Sequence, residues 1–170
     1  MVDILGRSYN KEYVTKYVSV IPGNLYGPHD NFNLTDAHVI PALIHKCYLV
    51  KMKNSFNVCG SGKPLRQFTY AEDFAKYLVW VLFNYEDDEP LIISNETENS
   101  IFNVVTTIAK EMNYEGEIYW DKSKSDGQYK KTVSSAKLRT LIPNLAFRGL
   151  EEVLRETIQW FKDNYPDVRM

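Results

Sequence analysis

Residues 21–46 read IPGNLYGPHDNFNLTDAHVIPALIHK. A β-branched run, YVSVI from Tyr17 to Ile21, predicts a strand that stops against Pro22. From Pro22 to about Thr35 the chain then runs through Gly, Asn, Pro, His and Asp, residues that turn the backbone and carry hydrogen-bonding side chains. A helical pattern resumes after that, with Val39, Ile40, Leu43, Ile44 and Cys47 on one side and a cap at Thr35 or Asp36. Pro41 falls early in this helix, where its missing N–H costs least. The stretch therefore predicts a β–loop–α unit, and in α/β folds ligands gather beyond the carboxyl ends of strands. Gly23 and Gly27 permit close approach of a ligand or of backbone. Asn24 offers both donors and acceptors. The same composition also marks ordinary turns, so the residues alone leave a binding loop and a plain turn both open.

Outward from this unit, strands and helices alternate. Val2 to Tyr13 predicts a helix with Val2, Ile4, Leu5, Tyr9 and Tyr13 near one stripe and no N-cap before it. Ser55 to Val58 reads as a strand, Cys59-Gly-Ser-Gly-Lys-Pro64 as a glycine turn, and Phe68-Thr-Tyr70 as a brief strand. AEDFAKYLVWVLFNY reads as a long helix, whose aromatic residues are core or interface packing and whose early Glu72 and Asp73 suit the helix dipole. Leu91 to Ser94 is a buried strand. Ser100 caps a helix from Ile101 to Met112, and GEIYW begins another strand. Residues 122–137, KSKSDGQYKKTVSSAK, show no apolar period and read as a polar loop. A last helix from about Gly149 to Tyr165 buries Leu150, Val153, Leu154, Ile158 and Trp160 or Phe161. About five short strands between helices give the α/β class. None is followed by a GxGxxG turn opening a helix, so a nucleotide-binding Rossmann half is not recognisable in these residues.

The chain has 170 residues, 44% hydrophobic and 25% charged, enough for one domain with a core. A net charge of −2 gives no electrostatic reason to expect nucleic acid or an anionic membrane. No apolar run has the length of a membrane span, and no signal peptide is expected at the start. Two cysteines without metal spacing or a disulfide framework suit a reducing, cytoplasmic setting.

Several side chains can carry chemistry. His38 suits proton transfer, because an unperturbed imidazole has a pKa near neutrality, or it satisfies a hydrogen bond at a helix start. His29 and His45 have weaker claims, and His45 reads as lying on a solvated face. The turn GSGKPLRQF presents Lys63 and Arg66, a pair suited to phosphate or to a surface hairpin. Lys122, Lys124, Lys130, Lys131 and Lys137 surround Asp126 and Gly127, as a phosphate clamp or as a solvated loop. Cys47 and Cys59 read as small core residues. No metal site is expected.

Taken in order, NLYGPHDNF, HVIPALIHK, CGSGKPLRQFTYAED, KSDGQYKK and ETIQWFKDNY resemble the extended short-chain dehydrogenase/reductases over the whole chain, and within them the GDP-L-fucose synthase family. The resemblance implies 3,5-epimerisation and then NADPH-dependent 4-reduction of a GDP-4-keto-6-deoxy sugar. It implies that Pro22, Gly23, Asn24 and Leu25 run beside the nicotinamide of NADP. His38 would be the catalytic acid and also lie near that cofactor. Lys46, Cys59, Arg66, Asp126 and Lys131 would meet the GDP-sugar. It further implies a homodimer, formed through helices of the cofactor domain.

Two departures stand out. The family usually has Thr at the position of Gly23 and Trp at the position of Cys59. The resemblance also places the nucleotide fingerprint and the Tyr/Lys reduction pair upstream of these residues. The expectation is therefore a C-terminal, substrate-binding part. Residues 1–33 would be a remnant of the cofactor domain and 34–170 the substrate domain, with some segments returning to the cofactor side. On that reading the chain alone is inactive in reduction, and an N-terminal half on another chain would complete it. Two other readings stay open: a related nucleotide-sugar epimerase or dehydratase, and a non-catalytic GDP-sugar-binding or subunit-contact module.

Overall fold

The computed structural model describes residues 1–50 and 55–170. Their elements run α1 (Val2–Tyr13), β1 (Val20–Pro22), β2 (Asn24–Tyr26), α2 (Val39–Val50), β3 (Ser55–Cys59), β4 (Leu65–Tyr70) and α3 (Ala71–Asn84). They continue with β5 (Leu91–Ile93), β6 (Glu98–Ser100), α4 (Ile101–Glu111), β7 (Glu117–Asp121), β8 (Lys130–Lys131), α5 (Ala136–Leu141) and α6 (Leu150–Asn164). The α/β class is as expected. Helices α1, α3, α4 and α6 sit close to their predicted bounds, because each carries its own apolar period; α2 starts only at Val39, past the expected cap at Thr35 or Asp36, where residues 34–36 form a turn instead, and α5 was not foreseen. Ser100 caps α4 as expected, its Oγ accepting from Asn103 N at 3.1 Å.

Three strands were not foreseen, and one loop is shorter than expected. β1 includes Pro22, and the chain resumes extended structure at Asn24, so the first residues of the expected loop are strand. Proline is tolerated there because it ends the strand and the missing N–H has no ladder partner to lose. β6 and β8 are short pieces that, among the described residues, pair only with β4. The polar run 122–137 therefore is not all loop: it supplies β8 and the start of α5.

The strands form three small sheets. β1 pairs with β5 in parallel, and β3 pairs with β7 in parallel. β4 is the centre of the third. Its second half pairs in parallel with β2, while its first half lies between antiparallel β6 and parallel β8. The larger core gathers Phe32, Ile40 and Ile44 with Phe56, Val104, Ile108, Leu154 and Phe161, uniting α2, β3, α4 and α6. A smaller one joins Tyr77 and Val81 of α3 to Leu91, Ile93 and Leu138, with Val18 and Val20 packed against it. Helix α1 buries none of its residues, and Val2, Ile4 and Leu5 are exposed, so the expected apolar stripe faces outward. On α3 the aromatic-rich run divides. Tyr77 and Val81 are core, whereas Leu82 and Phe83 are exposed.

Two readings are corrected by burial. His45 is only 5% exposed, not on a solvated face. Its ring packs against Phe161 and Tyr165 at the end of α6, and its Nδ1 lies 2.8 Å from Phe32 O. Cys59 is exposed rather than core, whereas Cys47 is buried as expected. Alternation along β3 explains this: Phe56 and Val58 point inward, Ser55, Asn57 and Cys59 outward.

Arg148 ties α3, α6 and the loop between α5 and α6 together. Its Nε donates to Asp73 Oδ1 at 2.9 Å, its backbone N to Asp73 Oδ2 at 2.8 Å, and its Nη1 to Glu156 Oε2 at 3.1 Å. Its guanidinium also lies 4.3 Å from the centre of the Tyr70 ring. Truncating it strands the buried Asp73 carboxylate, so Arg148→Ala should lower unfolding free energy by about 2–3 kcal/mol. Lys110→Ala, which removes an exposed pair with Glu151, should change stability far less. Urea denaturation of both variants measures the contrast.

Candidate functional site

Two clefts flank the junction between β2 and α2. The first, of about 410 Å³, has walls from α2, the end of β3, the glycine turn and residues 125 and 126; Lys46, Cys59, Arg66 and Asp126 all line it. The second, of about 470 Å³, is lined by residues 22–30 with His38 and Ala71, and so holds Pro22, Gly23, Asn24, Leu25 and His38 together. A narrow cavity of about 70 Å³ between them is lined by residues of both, among them His38, Val39 and Arg66. Four of the five residues expected at one ligand and all five expected at the other thus fall into two neighbouring clefts. Lys131 lies outside the first cleft's lining, but its place on β8 sets it beside Arg66 in register.

Each side chain has a structural reason for its position. His38 is exposed just before α2, and its carbonyl accepts from Ala42 N at 3.0 Å, which starts the helix. Arg66 is half-buried, with Nη1 donating to Leu65 O at 2.7 Å; the rest of its planar fork keeps further N–H groups. Asn24 is less available than the sequence suggests: its amide donates to Gln67 O at 2.6 Å and so holds β2 to β4. Lys130 pairs with Glu98, and Lys137 with Glu89 and Asp87, so the five lysines are not one clamp.

Three residues that the sequence reading passed over belong to these walls or their support. Asp30 lines the second cleft with His38. Burial pushes its carboxyl above the ordinary value, while the Asn31 amide and the charges of His38 and Arg169 pull it back. Ser61 donates to Asp126 twice, from N to Oδ1 and from Oγ to Oδ2, each at 2.6 Å. These bonds hold the Asp126 carboxyl below its usual range. Ser94, fully buried, places its hydroxyl against Gly23. Among the described residues no group of His, Cys, Asp and Glu is placed to hold a metal. No helix among them is long and apolar enough to cross a membrane.

The glycine at position 23 is explained by that last contact. A Cβ there would collide with Ser94 Oγ and lie 3.0 Å from Thr69 Oγ1. Ser94 has little room to yield, because its backbone N and O are bonded to Ser135 Oγ, both at 2.9 Å.

Against this geometry, comparison with known proteins is specific. The profile of the NAD dependent epimerase/dehydratase family matches residues 1–104. The chain belongs to the NAD dependent epimerase/dehydratase family. It is 52% identical to a GDP-L-fucose synthase of Dictyostelium discoideum over 99% of its own length and 54% of that protein. It is 44% identical to a probable GDP-L-fucose synthase of Drosophila melanogaster, over 99% of this chain and 56% of that one. A crystal structure of a GDP-L-fucose synthetase from Naegleria fowleri bound to NADP superposes with a TM-score of 0.97 at 47% identity, covering all of this chain and 56% of that one. The chain thus spans about half the length of the relatives it matches.

Gly23→Thr should destabilise the chain by about 1–3 kcal/mol through overpacking. Adding Ser94→Gly should recover much of that loss. Thermal unfolding of the single and double variants reads the coupling, and simple additivity would contradict the contact.

Proposed function

We propose that this chain forms the GDP-sugar-binding part, and one wall of the nicotinamide site, of an enzyme that makes GDP-L-fucose. The reaction would be 3,5-epimerisation of GDP-4-keto-6-deoxy-D-mannose followed by NADPH-dependent reduction at C4. The observation that supports this most directly is the adjacency of the two clefts: His38 lines the second, Arg66 the first, and both line the small cavity between them. Proton transfer and hydride transfer on one sugar ring need cofactor and substrate side by side, with a titratable group within reach. The similarity to GDP-L-fucose synthases along nearly the whole chain points the same way.

In this reading Lys46 and Arg66 face the diphosphate, Lys46 as a point charge and Arg66 as a planar donor. Asp126, already held by Ser61, accepts from a donor on the nucleoside. His38 returns a proton to the ring during epimerisation, and enolate stabilisation beside the ketone makes the opposite proton removable. The second cleft suits a nicotinamide edge. It is of ligand size and is lined by the continuous run of residues 22–30 with His38 and Ala71. NADPH, when bound there, supplies the hydride.

The nucleotide-binding turn and the Tyr/Lys pair required for reduction are not among these 170 residues, so the proposed activity needs a nucleotide-binding half, on the same or another chain. The smaller core around Val18, Val20, α3, β5 and α5 supports assigning those segments, with α1, to the cofactor side. The exposed stripe of α1 supports its use as a helix contact in a homodimer. A cytoplasmic setting accords with this reading.

Calorimetry with GDP tests the substrate cleft. The chain should bind GDP, and Arg66→Ala should weaken binding by about thirtyfold, the effect of about 2 kcal/mol expected for losing a charged partner. Unchanged affinity in the variant would place the nucleotide elsewhere. GDP binding in a chain joined to a nucleotide-binding half, without NADPH oxidation, would favour a non-catalytic module instead.

A further inference from the structure

The segment from the end of β7 to β8 crosses the edge of the substrate cleft as a strap. At its start, Gly60 N donates to Asp121 O at 2.9 Å, continuing the β3–β7 pairing by one bond. At its far end, Leu65 N donates to Tyr129 O at 2.8 Å, and β8 lies along β4. Between these ends Asp126 reaches back to the glycine turn. Both of its carboxylate oxygens accept from one residue, Ser61, through the backbone N and the hydroxyl at 2.6 Å each. The Ser61 hydroxyl also accepts from Lys63 N at 3.2 Å, so its orientation is set before it meets the carboxylate.

The neighbouring backbone is shaped around this contact. Gly60 has φ of +87°, and a Cβ there would collide with Asp126 Oδ1. Gly62 has φ of +76°, and a Cβ there would sit 2.7 Å from the Trp120 ring. Such conformations favour glycine, and here both glycines also leave space for groups from the β7 side. The turn is thus built to receive the carboxylate and the indole, leaving Ser61 as the donor at its tip.

We propose that Ser61 is a positioning residue for the GDP-sugar: it latches the strap 122–131 to the glycine turn and presents the Asp126 carboxylate to the nucleoside. This rests on the reading of the first cleft as the GDP-sugar site. A carboxylate near a diphosphate is repulsive unless it is aimed at donors away from the phosphates. Holding each oxygen with one Ser61 donor leaves each a further lone pair for a hydroxyl or an N–H of the nucleoside. Lys46 and Arg66 line the same cleft as the cationic groups, and the Lys63 charge on the turn itself also helps to hold the Asp126 carboxyl low.

The test uses Ser61→Ala, Ser61→Thr and Asp126→Asn in the chain, with two readouts. The first needs no ligand: trypsin cleavage at Lys122, Lys124, Lys130 and Lys131. Loss of the latch should speed cleavage several-fold in Ser61→Ala and Asp126→Asn alike, with no further gain in the double variant. The second is GDP affinity by calorimetry, which should fall roughly fivefold to tenfold in Ser61→Ala and be restored in Ser61→Thr, which keeps the hydroxyl. Cleavage of Ser61→Ala at the wild-type rate overturns the latch, whatever GDP does. Faster cleavage with unchanged GDP affinity overturns the positioning role and leaves Ser61 merely structural. Faster cleavage of Ser61→Ala together with no GDP binding by the wild-type chain would instead count against the functional reading of the cleft, and with it the positioning role.

Discussion

Backbone pairing along β4 is the constraint on which the two clefts depend. Six residues, Leu65–Tyr70, meet three other strands. Leu65, Arg66 and Gln67 are held between β6 and β8, while Phe68, Thr69 and Tyr70 are held against β2. The half that carries Arg66 therefore belongs to the first cleft, and the other half fixes the strand that lines the second. A slip of one residue would turn Arg66 to the other face of the sheet and uncouple the two. Side chains guard the register. Gln67 Nε2 donates to Glu96 O at 3.2 Å and its Oε1 accepts from Val133 N at 2.8 Å, while Thr69 Oγ1 accepts from Asn95 N at 2.9 Å.

The parts legible in the sequence are those whose cause is local. Helix α1 ends where predicted, α4 begins at its serine cap, and α6 shows the apolar face that Val153, Leu154, Ile158 and Phe161 form in the core. Each is set by period and end signals within one window. β2, β6 and β8 were not legible, because a strand of two or three residues has no alternation to read and owes its existence to β4. His45 was misread for a similar reason. Its own helix gives it a half-polar position, and what buries it is the aromatic end of α6, more than a hundred residues further along. Cys59 was open to a better reading, since SFNVC alternates and its last residue falls on the outer face with Ser55 and Asn57.

The site divides in the same way. No spacing rule brings Lys46, Arg66 and Asp126 together, since they come from a helix, a strand and a strap far apart in the chain; only resemblance to a family pointed to them as a group. The structure gives that grouping a physical form, one cleft shared by two cations and a carboxylate already tied down by Ser61. It also revises two details. Asn24 spends its amide on β4, and the space beside Gly23 is filled by the Ser94 hydroxyl rather than left open. Both changes tie the wall of the second cleft down more firmly than a glycine-rich loop suggests, as the proposed role of orienting a flat ring would require.

The most direct measurement is a backbone amide and histidine-ring NMR titration of the chain with GDP. If the account is right, shifts concentrate on Ala42 to Lys46, Cys59 to Arg66 and Ser125 to Gly127, and the His38 ring marks their boundary with residues 22–28. Shifts gathered instead on α1 or on the exposed face of α3, with Arg66 and Asp126 silent, would contradict it.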